Sequence, residues 1–205
     1  MASEFLLATR SADKAREIRE ILHAVTRVEL QTLHDVGIQP GAAEDDVENF
    51  PTFLGNALAK ARYFSQLTGR AVLADDSGLM VDALKGAPGV RTKRFAADQG
   101  SDRTDVDEAN NDLLLEKLRD VPVGERTARY VCAAACVFPD GPRFTAIGTC
   151  PGVIAFERKG SGGFGYDPLF LLPALHVTFA QLSAVQKHEH SHRARAFRAL
   201  AAHLK

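Results

Sequence analysis

Apolar residues fall into helical and extended registers that alternate along the chain. Ile18, Ile21, Leu22 and Val25 keep the i, i+3, i+4, i+7 spacing of one buried face and predict a helix over residues 11–25. The apolar run Phe5-Leu6-Leu7-Ala8 ahead of it reads as a strand over 4–8, and residues 27–32 alternate weakly as the next strand. A β-α-β opening of this kind predicts a mixed or parallel α/β sheet. Thr52, just after Pro51, stands where the N-cap of a second helix belongs. Phe53, Ala57, Leu58, Ala61 and Phe64 carry its apolar face to about residue 67. The run Ala71-Val72-Leu73-Ala74 then predicts a short buried strand over 71–75.

Residues 84–104 hold glycine, proline and charge and read as a long loop. Residues 105–119 read as a helix with Leu114, Leu115 and Leu118 on one side. Two long strand signals, 127–138 and 143–156, meet at Pro139-Asp140-Gly141-Pro142, where Asp-Gly supplies the geometry of a hairpin turn. A glycine-rich loop from Gly160 to Pro168 follows, then the apolar run Leu169-Phe170-Leu171-Leu172. A last helix starts at Ser191 as N-cap and buries Phe197, Leu200, Ala201 and Leu204. The chain shows no internal repeat, low-complexity tract or linker, so residues 1–205 read as one domain large enough to bury a core.

Charge narrows the function. A formal net charge of −1 gives no electrostatic case for polymeric nucleic acid or a membrane surface, although local basic clusters can still bind a small anion. Met1-Ala2-Ser3-Glu4 has no basic n-region, and Phe5 to Ala8 is too short for a signal peptide or a membrane span, which predicts a cytoplasmic protein. Cys132, Cys136 and Cys150 are odd in number, which argues against a disulfide framework. Cys132 and Cys136 lie in the apolar run from Tyr130 to Phe138 and read as core thiols.

The candidate chemistry centres on Asp75-Asp76-Ser77-Gly78. Adjacent carboxylates at the end of a buried strand raise each other's pKa and resist burial. A divalent cation or a catalytic proton offsets that cost; the plain alternative is a solvated strand-to-turn corner. Two helices also begin with basic residues, the first with Lys14 in its opening turn and the last at Ser191-His192-Arg193. Cations gain nothing from the positive end of a helix dipole, so two such starts point to a shared anion. The turn Thr9-Arg10-Ser11-Ala12-Asp13-Lys14 resembles a phosphate loop in outline but lacks the glycines and the Lys-Ser/Thr ending of a Walker A motif.

Asn56 and Lys60 lie one turn apart on one helical face. One carboxylate of the acidic stretch Glu44-Asp45-Asp46-Val47-Glu48 could complete a Mg²⁺ site with Asp75 and Asp76. In Gly162-Gly163-Phe164-Gly165-Tyr166-Asp167-Pro168, the glycines admit close backbone approach, Phe164 can stack on a planar ring, and Asp167 can accept from ring N–H groups. His188, His190 and His192 alternate, but no nearby Cys or His-Glu-x-x-His pattern supports zinc. Lys187, His192 and Arg193 read instead as polar ligand contacts. The absence of a Gly-x-Ser-x-Gly elbow argues against covalent acyl chemistry.

Together these blocks resemble the inosine triphosphate pyrophosphatase family, the Ham1-like or RdgB-like dITP/XTP pyrophosphatases. The matching stretches are Leu7-Ala8-Thr9 with Lys14, Thr52-Phe53 with Asn56-Ala57 and Lys60-Ala61-Arg62, and Ala74-Asp75-Asp76-Ser77-Gly78-Leu79. Gly86-Ala87-Pro88-Gly89-Val90 with Arg94 follows, then Gly162 through Pro168, Thr178-Phe179-Ala180, Leu182-Ser183, Lys187 and Ser191-His192-Arg193. The resemblance implies a two-lobed α/β fold with a mixed sheet and a central active-site cleft, a homodimer, and Mg²⁺-dependent hydrolysis of ITP, dITP and XTP to monophosphate and pyrophosphate. It implies that Glu48 and Asp76 are Mg²⁺ ligands with Asp75 close by, and that Asp76 is the proton acceptor. Thr9, Arg10, Ser11, Ala12, Asp13, Lys14 and Ser77 would hold the nucleotide, Asn56 would lie beside them, and Lys60 would be a second phosphate contact. Phe164 would stack the purine within Phe164-Gly165-Tyr166-Asp167. Asp167, Lys187, His192 and Arg193 would frame the base edge.

The chain departs from the family pattern at several positions. Ser11 stands where Asn is usual, Arg10 where the family has a small residue, and Gly55 where Glu is common. The lead into Thr52 has become Val47-Glu48-Asn49-Phe50-Pro51, and Gln181 and Gln186 stand where acidic residues are common. Two other readings compete: a Maf-like pyrophosphatase for pyrimidine or modified nucleotides, and a nucleotide-binding sensor that does not hydrolyse its ligand.

Overall fold

The computed structural model describes residues 3–44 and 46–204; Met1 and Ala2, Asp45 of the acidic stretch, and Lys205 lie outside them. In chain order the elements are β1 (Glu4–Leu7), α1 (Ala12–His23), β2 (Glu29–Thr32), α2 (Phe53–Thr68), β3 (Val72–Val81) and α3 (Val106–Lys117). There follow β4 (Thr127–Val137), β5 (Arg143–Ile154), β6 (Phe170–Leu172), β7 (Val177–Thr178), α4 (Ala184–His190) and α5 (His192–Ala201). The strands form one seven-stranded sheet in the order β2-β1-β3-β4-β5-β6-β7. β1 runs parallel to β2 and to β3, with Leu6 opposite Val72 and Leu7 opposite Leu73. β6 is antiparallel to both β5 and β7, so the sheet is mixed, as the opening pattern predicts.

The chain divides into two compact units, one of Met1–Asp76, Cys132–Gly148 and His192–Lys205, the other of Ser77–Val131 and Thr149–Ser191. In the first, Ile18, Ile21 and Leu22 of α1 and Phe197 and Leu200 of α5 bury against Phe5, Leu7 and Leu73 of the strands. Full burial of each such side chain contributes roughly 1.5–3 kcal/mol. Val25, expected on the same face, is exposed because α1 ends at His23, two residues earlier. Gly148 of β5 lets α5 approach closely: a Cβ there would collide with the carbonyl of His192 and the backbone nitrogen of Ala196.

In the second unit, Tyr130 meets Phe170 and Phe179 at ring separations of 4.5 and 5.7 Å, and this group packs with Leu114 and Leu118 of α3. Arg126 is buried and donates to the carbonyls of Leu118, Val121, Ile154 and Ala155. It ties the end of α3 to the end of β5.

Three differences from the sequence pattern bear on function. The strand expected to stop at residue 75 continues to Val81, so Ser77 and Gly78 are strand residues and not a turn. Extended pairing overrides their turn propensity here. The helix α4 was not expected; at 7 residues it is too short to show periodicity, and it is announced by a capping box in which Ser183 and Gln186 satisfy each other's backbone N–H groups. Ser191, expected as the N-cap of the last helix, directly precedes α5 with extended backbone and is at the same time the C-cap of α4, donating its N–H to the Lys187 carbonyl. Among the described residues, no helix is long and apolar enough to cross a membrane.

Candidate active site

The pleat of β3 sends consecutive side chains to opposite faces. Asp75 shares the face of Leu73 and is wholly buried. Lys14 Nζ from α1 lies 3.3 Å from its Oδ2, and Arg193 Nη2 from α5 lies 3.5 Å from the same oxygen. Both basic helix starts therefore reach the chain's own Asp75. Arg193 is fully buried and also donates from Nη1 to Glu17 Oε2 at 2.5 Å. Burial works against its charge, but Asp75 and Glu17 more than offset this and hold its pKa above the ordinary value. Cys132 Sγ lies 4.0 Å from Asp75 Oδ2, and burial with that carboxylate pushes the thiol well up.

Asp76 faces the other way. Asn56 Nδ2 of α2 donates to its Oδ2 at 2.9 Å, and Asn56 Oδ1 accepts from the Phe50 N–H at 2.8 Å. Burial raises the Asp76 pKa and Glu48 adds to the effect, outweighing Lys14, Asn56 and Lys60, which lower it. Lys60 Nζ lies 2.6 Å from Glu48 Oε1. Burial lowers the Lys60 pKa, but Glu48, Asp75 and Asp76 together leave it raised. Asn56 and Lys60 thus share one helical face, as their spacing predicts, and that face meets the carboxylates. Gly55, where the family commonly has Glu, has no room for a Cβ: it would sit 2.7 Å from Cβ of Phe50. Two departures from the family pattern, Phe50 and Gly55, therefore accommodate each other.

The turn between β1 and α1 is internally braced. Thr9 Oγ1 accepts from the Ser11 N–H, and Ser11 caps α1 by accepting from the Lys14 N–H at 3.3 Å. Asp13 pairs with Arg16 at the surface. Arg10 is turned toward the segment after β2: its guanidinium meets Glu44 through Nε at 3.1 Å and Nη2 at 2.5 Å, and Nη1 donates to the Ile38 carbonyl at 2.6 Å. His192 is buried at the first position of α5, and Ser77 is buried in β3 directly after Asp76.

In the second unit the loop 160–168 is built around Asp167. Its Oδ2 accepts from the Phe164 N–H at 3.0 Å and from Lys187 Nζ at 2.5 Å, and its Oδ1 accepts from the Tyr130 hydroxyl at 3.3 Å. The Lys187 ammonium also lies 4.8 Å from the centre of the Phe164 ring. Gly165 is clamped by α3, its N–H donating to Asp107 and its carbonyl accepting from Asn111. The Tyr166 hydroxyl donates to the Thr92 carbonyl, so this tyrosine is part of the core.

Sequence reasoning missed Glu17, Asp107, Asn111 and Tyr130. For Glu17 a signal existed: Lys14, Glu17, Ile18 and Ile21 keep the spacing of one helical face. The other three support the loop from distant segments, and no local pattern marks them.

Among the described residues, no three His, Cys, Asp or Glu side chains converge to hold a metal by themselves. The donor set around Lys60 is made of carboxylate oxygens, which suits a hard divalent cation that takes one or two protein carboxylates and completes its shell with water and phosphate. Glu48 and Asp76 fit that requirement.

The sequence profile of the Ham1 family matches residues 5–203. A dITP/XTP pyrophosphatase of Exiguobacterium sibiricum is 45% identical over 201 residues, which cover 98% of this chain and 96% of that protein. One from Frankia alni is 46% identical over 197 residues, covering 96% and 94%. Among solved structures, the Staphylococcus aureus Ham1 protein is 35% identical with a TM-score of 0.81, and a HAM1 protein from Coxiella burnetii is 33% identical with a TM-score of 0.83. Each covers 98% of both chains.

Proposed function

Since the chain belongs to the Ham1 family, we propose that it is a nucleoside triphosphate pyrophosphatase that hydrolyses non-standard purine nucleotides, namely ITP, dITP and XTP. The products are the nucleoside monophosphate and pyrophosphate, and the role is removal of such nucleotides from the pool. The observation that carries this reading is the sorting of Asp75 and Asp76. One carboxylate is fixed by two cations, while the other faces an amide, an ammonium and a further carboxylate.

On this reading Glu48 and Asp76 hold Mg²⁺, with Asp75 supporting them from the other face of β3. When bound, the cation would neutralise charge on the triphosphate. Lys14 and Lys60 attract the phosphates, and the N-terminal turn from Thr9 to Lys14, with Arg10 bracing it from the Glu44 side, offers hydroxyls and backbone N–H groups. Asp76 takes the proton of the attacking water, and the Asn56 amide on Oδ2 orients it for that task.

In the second unit, Phe164 stacks the base and Lys187 donates to its edge. An ammonium has donors and no acceptor, so it pairs with a 6-oxo group and leaves the 6-amino group of adenine unsatisfied. That mismatch costs about 1–3 kcal/mol, a rejection of ATP by roughly one to two decades. A homodimer acting in the cytoplasm belongs to the same reading. The direct test is to incubate the purified chain with Mg²⁺ and ITP and analyse the products. IMP with pyrophosphate is expected; IDP with orthophosphate overturns the reading, as does a preference for pyrimidine triphosphates.

A further inference from the structure

Glu17 is a charged residue in a place where charge is costly. It lies on the inner face of α1 next to Ile18, is only 6% exposed, and shares the hydrophobic core of its unit with no assigned role in the reaction. Its Oε2 accepts from Arg193 Nη1 at 2.5 Å, while Arg193 Nη2 lies 3.5 Å from Asp75 Oδ2. Lys14 Nζ lies 3.3 Å from that same oxygen. Three helix and strand elements therefore meet in one chain of charge: Glu17 to Arg193, Arg193 to Asp75, Asp75 to Lys14.

Stability alone is a poor account of such an arrangement. Taking two charges out of water costs several kcal/mol per ion, and a well-packed apolar pair of similar volume is often equally stable or better. What the ion pair supplies is geometry. A guanidinium is a rigid planar fork, so a carboxylate holding one tine fixes the direction of the other. The distances show which end is gripped harder: 2.5 Å to Glu17 against 3.5 Å to Asp75. Glu17 draws Arg193 toward α1 and leaves the Asp75 oxygen shared with Lys14. Without that pull the guanidinium would close on Asp75, which is at least as deeply buried as Arg193 itself, and would compete with Lys14 for it.

We propose that Glu17 is a positioning residue: by holding the Arg193 fork it fixes how Asp75 is shared, and so sets the position of the Lys14 ammonium for a polyphosphate. This rests on the reading of Lys14 as a phosphate contact, but its test does not require turnover. The probe is inorganic pyrophosphate, its affinity measured by calorimetry on the full chain with Mg²⁺, and stated per folded molecule as counted by circular dichroism. Glu17→Gln keeps the shape and an acceptor for Arg193 but removes the charge. It is expected to weaken pyrophosphate binding about tenfold in the otherwise unchanged chain, and by less than about twofold when Lys14→Met is already present, a coupling in the range found for residues of one network. A merely structural role moves both backgrounds by the same factor, and that result, or unchanged affinity, overturns the proposal. If Glu17→Gln does not fold, Glu17→Asp, which keeps the charge but shortens its reach, is measured in the same two backgrounds with the same expectation. A chain that binds pyrophosphate with this coupling but does not cleave ITP refutes the proposed activity and leaves Glu17 in its role.

Discussion

Asn56 bridges Phe50 and Asp76: its carbonyl oxygen accepts from the Phe50 N–H at 2.8 Å and its amide donates to Asp76 Oδ2 at 2.9 Å. One side chain thus joins the segment that carries Glu48 to the strand that carries Asp76, and it is 2% exposed. Replacing it should separate two effects, loss of the segment's anchor and loss of the carboxylate's orientation. A hydrogen bond to a charged group is worth about 1.5–3 kcal/mol. Asn56→Ala is therefore expected to lower kcat for ITP by about one to two decades, measured at saturating Mg²⁺ and corrected for the folded fraction. An unchanged kcat removes Asn56 from the site.

Asp76→Asn keeps the size of the side chain and removes its basicity. It is expected to abolish pyrophosphate release from ITP while leaving the circular dichroism spectrum unchanged. Residual turnover within about tenfold of the parent chain is too much for loss of a general base, whose contribution is on the order of 10²–10⁴, and takes Asp76 out of the base role.

Gly148→Ala tests the approach of α5 to β5. The added Cβ meets backbone atoms of His192 and Ala196 rather than a flexible side chain, so the start of α5 must move. Overpacking of this kind costs about 1–3 kcal/mol. Chemical denaturation should show a loss of at least that size, together with a loss of activity larger than the unfolded fraction explains, because Arg193 is on the displaced turn. Wild-type stability refutes the close-approach argument.

The three cysteines are buried, and burial drives the Cys136 thiol up to about 12 and that of Cys132 higher still. A thiol whose pKa lies above the ambient pH is protonated and unreactive. At pH 8 a disulfide reagent such as DTNB should label neither Cys132 nor Cys136 in the folded chain and should label both on unfolding. Rapid labelling of Cys136 in the native state contradicts the buried-thiol assignment.

Asp112 accepts from Arg103 and, at 2.6 Å, from Arg158, and those hydrogen bonds hold its pKa below the ordinary carboxylate value. A carboxylate depressed in the folded state stabilises it above the unfolded pKa and ceases to do so as pH falls through the folded one. Asp112→Asn should lower the thermal midpoint at pH 7, and the difference should shrink as the pH is taken down through the acid range. Because this carboxylate is half exposed, the effect is small and should fall with added salt. A difference that grows toward low pH has the wrong sign for this pair.

Much of this was written in local patterns. The helices α1, α2, α3 and α5 follow apolar spacing, α2 with Thr52 as its cap, and the β4–β5 hairpin follows Asp140-Gly141. The carboxylates, Lys60 and Asn56 were legible because spacing and charge oddities mark them. Arg193 was legible as a cation at a helix start, but not its partner, because Asp75 belongs to a strand distant in sequence. Arg10 read as a phosphate contact, while the structure turns it onto Glu44 and Ile38, a tether that no local window contains. Asp167 read as an acceptor for a ligand; its oxygens also organise the Phe164 N–H, Tyr130 and Lys187, which come from three separate segments.

The continuation of β3 through Asp75 and Asp76 carries a consequence for how the chain tolerates change. Two identical side chains differ in chemistry only by which face they take, and that is decided by pairing, with Leu6 opposite Val72 and Leu7 opposite Leu73. A slip of one residue along β1 would turn each of them to the opposite face, so that Asp75 leaves Lys14 and Arg193 and Asp76 leaves Asn56. Deleting or inserting a single residue between Arg70 and Ala74 should therefore abolish the chemistry while keeping every carboxylate, amide and ammonium in the composition. Strand register is as much a reagent here as the aspartates it distributes.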